Sequence, residues 1–222
     1  TIVREEARWL ETHEAALLLE SARTYRPEAS IPQRHGGALT PKANPHLFPI
    51  LATMLLTGGR KSEVLGLEVD DISFQRRTVT FRPNRWRRLK TKGSHRPVPL
   101  WPQLEEILRA YLLDREAEGG LGSLLFPSAR SGEGEEIMVR DLRKSLDAIA
   151  GRAGWRPGEI TTKMLRHTYT AARLQNLDRG APVAPWTVSR ELGHTSTQMV
   201  ERVYGHLGEV RHRSEEVSFR IE

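Results

Sequence analysis

Arg60 lies in a segment, Thr57-Gly-Gly-Arg60-Lys-Ser-Glu63, that could bind a phosphate group. The arginine follows two glycines at the start of a predicted helix, where its guanidinium and the first backbone N–H groups would face the same anion. Taken alone, the segment is more typical of a helix that ends at the glycines and is followed by a surface arginine. It is not a nucleotide-binding phosphate loop, because it lacks the Gly-Lys-Ser order and spacing of that motif.

Lysines could donate a proton in a second segment, Lys90-Thr-Lys92-Gly-Ser-His-Arg96, at a predicted hairpin turn. A lysine ammonium held beside a phosphate can protonate the oxygen that leaves. By itself this segment is more typical of a solvated basic turn. In a third segment, Lys163-Met-Leu-Arg166-His167, the lysine and the arginine are three residues apart on a predicted helix. They share one face and could hold a single phosphate together.

A histidine and a tyrosine form the last group of candidate residues. His194 follows Gly193 at the predicted end of a helix, and Tyr204 comes one short helix later. A phenol can attack phosphorus as a nucleophile, and an imidazole can hydrogen-bond a phosphate oxygen. A single histidine or tyrosine is usually structural, so the interpretation depends on the order of all four segments.

Taken together, the segments resemble the boxes of the tyrosine recombinase (phage integrase) family. The family's first box, an arginine after Thr-Gly followed by Ser-Glu-Leu, is similar to Thr57-Gly-Gly-Arg60-Lys-Ser-Glu63-Val. Its lysine box resembles the segment that begins at Lys90. Its second box, His-x-Leu-Arg-His-Thr, resembles Lys163-Met-Leu-Arg166-His167-Thr, and Leu-Gly-His194 and Tyr204 complete the order. The resemblance runs from about residue 3 to residue 207 and corresponds to that family's catalytic domain.

The resemblance implies that the protein cleaves and rejoins DNA without ATP, a metal ion or another cofactor. Arg60 and Arg166 would bind the scissile phosphate and stabilise the transition state. Tyr204 would attack phosphorus and form a 3′-phosphotyrosyl link, which leaves a free 5′-hydroxyl. The implied roles of the remaining residues are proton donation to the 5′ oxygen by Lys90 or Lys92, hydrogen bonding to the phosphate by His194, and support by Glu63 and His167.

Two positions depart from the family's pattern. The second box usually begins with histidine, and this chain has Lys163 there. A solvated lysine is a poor proton acceptor at neutral pH, so removal of the Tyr204 proton would depend on water or on a lysine with a depressed pKa. The lysine box is also offset, since Lys90 stands one place earlier and Lys92 one place later than in many relatives, counted back from Arg96. The spacing Lys-x-Lys-Gly-Ser-x-Arg favours Lys90, with Lys92 as the alternative.

The middle of the chain is a one-sided basic stretch. The net charge is +6, the pI is near 10.0, and no acidic residue occurs between Asp71 and Glu105. Clustered cations bind the phosphate backbone of nucleic acids, which predicts double-stranded DNA as the partner. A merely solvated surface is the alternative. The predicted DNA-binding residues are Arg82, Arg85, Arg87, Arg88 and Arg96.

The pattern of apolar residues predicts the elements that position these side chains. Helical spacing predicts helices over residues 3–23, 45–56, 102–118, 139–152, 161–178, 185–192 and 197–204, and a short helix capped by Ser62. Branched and aromatic residues predict a hairpin of strands 69–74 and 78–81, and two prolines predict an edge strand at 96–100. Glycines and prolines predict loops at 26–45, 119–120 and 131–136. The predicted fold class is mainly α with a small antiparallel β-sheet (α+β).

Composition narrows the class of protein further. There are no cysteines, which excludes disulfides and cysteine zinc sites and fits a reducing, cytoplasmic location. No apolar run approaches the roughly 20 residues that span a bilayer. The eight histidines show no paired ligand spacing such as His-Glu-x-x-His, which argues against a metal-dependent nuclease.

Two alternatives keep the fold but change the outcome: a topoisomerase or telomere-resolving enzyme that uses the same attack, and a non-catalytic DNA-binding relative. We expect one catalytic domain over residues 1–222, without the N-terminal core-binding domain that family members usually carry, and therefore a piece of a longer protein. In the family, a C-terminal tail such as 208–222 packs onto a neighbouring protomer in a synaptic tetramer. A tail that lies on its own domain is the alternative.

Overall fold

Eight helices and two small antiparallel sheets form the part of the chain that the computed structural model describes. The described residues are 7–25, 46–88, 95–118, 122–128, 131, 135–178 and 180–204. The helices are α1 Thr12–Arg23, α2 Leu47–Thr57, α3 Lys61–Leu65, α4 Pro102–Ala117, α5 Arg143–Arg152, α6 Thr162–Gln175, α7 Pro185–Glu191 and α8 Gln198–Tyr204. The strands are β1 Ile72–Ser73, β2 Thr78–Phe81, β3 Arg96–Pro99, β4 Leu177–Asp178 and β5 Ala181–Pro182. This architecture confirms the predicted fold class.

Helix α2 lies at the centre of the larger hydrophobic core and sets the start of the loop that carries Arg60. Its sequence is apolar on every side, and such a helix is stable only when protein surrounds it. It packs against α1, α4 and α6, and Ile50 and Leu51 are fully buried. The helix ends at Gly58, whose φ of 61° is left-handed, as the glycine pair predicted.

Gly58→Ala is expected to destabilise the fold by about 1–3 kcal/mol. The added Cβ would lie 2.5 Å from Cδ1 of Tyr169, and the φ of 61° disfavours any side chain. Urea unfolding measures the loss. Gly151→Ala is the matched control, because no described atom lies within 4 Å of its added Cβ and the residue lies inside α5. Alanine is favoured there by about 0.5–1 kcal/mol, so equal effects of the two substitutions would contradict this account.

The three-stranded sheet has the order β1–β2–β3 and is antiparallel throughout. Val79 on β2 pairs with Val98 on β3, and both side chains are buried in the larger core. The prolines of β3 lie on an edge strand, as predicted. The predicted first strand is too long, because Val69–Asp71 forms a 3-10 turn and only Ile72–Ser73 pairs with β2.

Two predicted helix starts are wrong. Residues 7–11 are not helical, so α1 begins at Thr12 rather than at residue 3. Helix α5 begins at Arg143 rather than at residue 139. Ser62 does not cap α3, because the N-cap is Arg60, whose backbone N–H donates to Oε2 of Glu63 at 2.9 Å. The sequence pattern thus located the helices but not the side chains that cap them.

Helix α6 also ends earlier than predicted, at Gln175, because the chain turns into the β4–β5 hairpin that the sequence pattern did not predict. The predicted loops at 26–45 and 119–120, and residues 132–134 of the predicted loop at 131–136, lie outside the described residues. None of the helices in the described ranges is long and apolar enough to cross a bilayer.

Candidate active site

A pocket of about 430 Å³ collects side chains from four separate segments of the chain. The segments are the start of α3, one face of α6, the turn after α7 and the end of α8. Six of the residues singled out in the sequence line the pocket: Arg60, Lys163, Arg166, His167, His194 and Tyr204. The two arginines therefore share one cavity, as the order of the segments predicted.

Arg166 is held by backbone oxygens rather than by a carboxylate. Its Nη1 donates to the carbonyl of Gly58 and its Nη2 to the carbonyl of Leu192, both at 2.6 Å. These carbonyls belong to the C-cap residues of α2 and α7. The helix dipole favours a cation at the C-terminal end of a helix. Burial, together with the charges of Arg60 and Arg96, lowers the pKa of Arg166 to about 9, so the guanidinium is charged at neutral pH. A half-buried cation of this kind is a site for an anion.

Arg60 is positioned by a buried carboxylate, that of Glu63. Oε1 of Glu63 accepts a hydrogen bond from Nη1 of Arg60 at 3.0 Å. Arg96 donates to both oxygens of the same carboxylate, to Oε1 at 3.2 Å and to Oε2 at 3.0 Å. Burial alone would raise the pKa of Glu63, but the hydrogen bonds and charges of Arg96 and Arg60 lower it to about 2. The side chain of Arg60 stays 35% exposed on the pocket side. Glu63 therefore orients Arg60 without burying it.

His194 faces Arg166. Nη2 of Arg166 lies 3.1 Å from Nε2 of His194. Burial and the charges of Arg166, Arg60 and Arg96 lower the pKa of His194 to about 4, so the ring is neutral near pH 7. Since an arginine can only donate, Nε2 accepts and the ring hydrogen lies on Nδ1. Nδ1 is buried and has no hydrogen-bond partner among the residues that the structure describes.

The hydroxyl of Tyr204 contacts Nδ1 of His167, and its ring packs against Trp9 with 6.1 Å between ring centroids. The side chain is only 4% exposed. Burial raises the pKa of Tyr204 to about 12, against the opposing effects of a hydrogen bond with Thr170 and the charge of Arg166. A phenol in this environment is protonated at neutral pH. It needs a proton acceptor before it can act as a nucleophile.

The basic stretch differs from the prediction. Arg87 and Arg96 are 6% and 5% exposed, so the prediction that they form a DNA-binding surface is wrong. Arg87 donates from Nε to the carbonyl of Gly66, and its guanidinium faces Asp71. Arg96 binds Glu63, as above, and its Nε donates to the carbonyl of Glu191 at 2.6 Å.

Carboxylates from outside the stretch also contact its exposed arginines. Arg82 donates to the buried Asp71, and Arg85 lies 3.1 Å from Oε2 of Glu136. Arg88 is exposed and keeps its predicted role as a candidate. The one-sided composition did not reveal this neutralisation, because Asp71 and Glu136 both lie outside the stretch in sequence. Lys90 and Lys92 lie outside the described residues.

Three further polar residues that the sequence reasoning missed line the pocket: Lys61, Thr162 and Thr170. Lys61 and Thr162 are direct neighbours of predicted residues. Thr170 lies four residues after Arg166, so it occupies the same face of α6. Helical spacing from Arg166 could therefore have identified it.

The comparisons with known proteins agree with this architecture. The fold is similar to that of the XerH site-specific recombinase bound to a palindromic difH substrate in a post-cleavage complex (TM-score 0.66, 22% identity, 96% of this chain and 53% of that chain). It is also similar to the catalytic domain of bacteriophage HP1 integrase (TM-score 0.56, 19% identity, 95% of this chain and 94% of that chain). The fold is thus that of tyrosine recombinase catalytic domains.

Sequence comparison extends this result. Residues 9–210 match the model of the phage integrase family. The chain is 30% identical over 163 residues to tyrosine recombinase XerC of Corynebacterium efficiens (73% of this chain, 46% of that protein). It is 31% identical over 164 residues to tyrosine recombinase XerD of Mycobacterium tuberculosis (71% of this chain, 48% of that protein). The chain belongs to the phage integrase family, and it spans about half the length of these two relatives.

Proposed function

We propose that this chain cleaves and rejoins strands of double-stranded DNA at specific sites, through a 3′-phosphotyrosyl link to Tyr204. The observation that carries the proposal is the single pocket that holds Arg60, Arg166 and Tyr204. Two cations from different segments face one cavity with a phenol at its wall. That arrangement suits a phosphodiester, whose charge rises as the nucleophile attacks.

In the proposed reaction, Arg60 and Arg166 bind the non-bridging oxygens of the scissile phosphate. Their guanidiniums are already oriented by Glu63 and by two backbone carbonyls, so little reorganisation is needed in the transition state. The Tyr204 oxygen forms a bond to phosphorus while the bond to the 5′ oxygen breaks. Lys90 or Lys92 protonates that oxygen; this role stays a prediction.

Rejoining reverses these steps. The 5′-hydroxyl of the same or another strand attacks the phosphotyrosyl link and displaces Tyr204. Because the link keeps a phosphate diester, the reaction needs no ATP.

The partner in this proposal is double-stranded DNA, and strand exchange between two sites requires several copies of the protein, for which we propose a tetramer. The predicted location is the cytoplasm, on DNA. Arg82, Arg85 and Arg88 are candidates for contacts with the DNA backbone. The tail, residues 208–222, lies outside the described residues, and its packing onto a neighbouring protomer stays a prediction.

The test is covalent trapping on a pool of nicked duplexes with randomised sequence around the nick, in EDTA. Cleavage beside the nick releases a short fragment, so the adduct accumulates and can be seen on a denaturing gel. Wild-type protein is expected to form the adduct and Tyr204→Phe is expected to form none. Tyr25→Phe, which removes a phenol hydroxyl outside the pocket, is the matched control and should keep it.

Three results would contradict the proposal in different ways. An adduct that survives Tyr204→Phe would mean another nucleophile. An adduct that forms only with Mg²⁺ would mean metal-dependent chemistry. Sequence-selective binding without any adduct would favour the non-catalytic relative. A topoisomerase-like enzyme would form the adduct with little preference among the randomised sequences.

A further inference from the structure

We propose that His167 is the proton acceptor for Tyr204, taking the phenolic proton during strand cleavage and returning it during rejoining. The inference rests on the proposed function. It names the group that removes the Tyr204 proton, a role left open because Lys163 stands where the second box usually has a histidine. His167 was predicted only as a supporting residue of that box.

The geometry of α6 and α8 brings the two groups together. Helix α8 packs on α6, and Nδ1 of His167 contacts the hydroxyl of Tyr204. For a neutral imidazole that accepts at Nδ1, the ring hydrogen is on Nε2. The lone pair of Nδ1 then points at the reacting oxygen. The acceptor therefore touches the proton that must leave.

The other polar groups of the pocket are poorer acceptors for this proton. The hydroxyl of Thr170 donates to the carbonyl of Arg166 at 2.8 Å, and an alcohol oxygen is too weak a base to take a proton near neutral pH. An ammonium such as that of Lys163 has no lone pair to offer. His194 already accepts from Arg166. Among the described pocket residues, His167 is therefore the one whose basic nitrogen contacts the phenol hydroxyl and can take its proton.

The charges around His167 favour a neutral ring in the free protein. Lys163 and Arg166 lie on its own helix, and Arg60, Lys61 and His194 face the same pocket from other segments. Burial, then Lys163 and Arg166, lowers the pKa of His167 below its usual value of 6.5. The imidazole is therefore free to accept a proton at pH 7. The negative charge of a bound phosphate would stabilise the imidazolium that forms.

After one cycle of cleavage and rejoining, Tyr204, His167 and the lysine are back in their starting protonation states. In cleavage, the Tyr204 proton moves to His167, the tyrosine oxygen bonds to phosphorus, and the P–O5′ bond breaks as the 5′ oxygen takes a proton from the lysine. In rejoining, the 5′-hydroxyl gives its proton to the lysine and attacks phosphorus. The tyrosine oxygen leaves and recovers its proton from His167.

The test is His167→Asn, in which a side-chain oxygen can still accept from the phenol near the position of Nδ1 but cannot take its proton. Single-turnover adduct formation on the trapped DNA sequence is expected to fall by about 100-fold or more, with DNA binding retained. The wild-type rate should fall as the pH drops through the pKa of His167, which burial and the neighbouring cations hold below the usual 6.5, whereas the variant should lose this limb and gain rate with hydroxide. His13→Asn, an exposed histidine on α1, is the matched control and should behave as wild type.

Two rescue experiments separate the acceptor from the proton donor. A substrate with a bridging 5′ sulfur has a leaving group that needs no proton. It should restore cleavage to a variant lacking the donor lysine but leave His167→Asn slow. Replacing Tyr204 by a fluorotyrosine of lower pKa should instead restore much of the rate to His167→Asn.

The results also separate this inference from the proposed function. If the wild type forms the Tyr204 adduct but His167→Asn stays within about threefold of it with the same pH profile, the acceptor assignment is overturned and the proposed function stands. If the bridging sulfur rescued His167→Asn, His167 would act on the leaving 5′ oxygen. That result would also overturn the role of His167 as the proton acceptor for Tyr204. If wild-type protein forms no adduct with any member of the pool, both are overturned.

Discussion

Arg166→Lys is expected to lower the rate of covalent adduct formation by about two to three orders of magnitude. One terminal nitrogen of the Arg166 guanidinium donates to the carbonyl of Gly58 and the other to that of Leu192. The remaining N–H groups can still face the pocket. A lysine has a single ammonium, which cannot span both carbonyls and also bind the phosphate with the same geometry. The loss should therefore appear in the chemical step rather than in DNA affinity.

The measurement is a single-turnover rate on the trapped DNA sequence, with DNA affinity and thermal unfolding measured in parallel. Arg190→Lys is the matched control, because Arg190 is an exposed arginine on α7 outside the pocket. It should stay within about twofold of wild type, as expected for a surface substitution. A rate for Arg166→Lys within tenfold of wild type would show that Arg166 does not stabilise the transition state.

Glu63→Gln is expected to destabilise the protein by about 3–5 kcal/mol, because it removes one partner of a buried ion pair and leaves the other charged. Arg96 is only 5% exposed and its guanidinium depends on Glu63 for two hydrogen bonds. Arg60 would lose its orienting carboxylate at the same time, so adduct formation should also fall.

The pH dependence of stability tests the same group. The pKa of Glu63 is about 2 in the fold against 4.5 for an ordinary glutamate, so its contribution is fully present above pH 4.5 and is lost as the pH falls toward 2. The difference of about 2.5 pKa units corresponds to roughly 3 kcal/mol. The stability gap between wild type and Glu63→Gln, measured by urea unfolding, should therefore narrow below pH 4.5. Glu106→Gln, an exposed glutamate on α4, is the control; an equal gap at all pH values would argue against the buried pair.

The sequence was most informative where function depends on order and spacing. Spacing along α6 placed Lys163 and Arg166 on one face, and the order of the segments predicted a pocket shared by Arg60 and Arg166. Apolar runs also located the helices, although the predicted start of α1 was nine residues too early. These features depend on near neighbours in the chain, which a pattern records directly.

The sequence was least informative where a charge depends on a distant partner. Arg96 looked like part of a DNA-binding surface, yet it is buried against Glu63, 33 positions away. Arg87 is buried beside Asp71 for the same kind of reason. The contact between His167 and Tyr204 forms only when α8 packs on α6, so neither periodicity nor charge could have predicted it. The choice between Lys90 and Lys92 stays a prediction.

The segment that leads into α1 contacts Tyr204. Trp9 packs on the ring of Tyr204, and the neighbouring N–H of Leu10 donates to Oγ1 of Thr168 on α6 at 2.9 Å. Free energy shared across such a contact acts in both directions. Whatever immobilises residues 7–11 also restricts the phenol of Tyr204, and whatever holds the phenol restricts residues 7–11 with the same coupling free energy. The segment before α1 and the phenol proposed to join to DNA are therefore thermodynamically coupled.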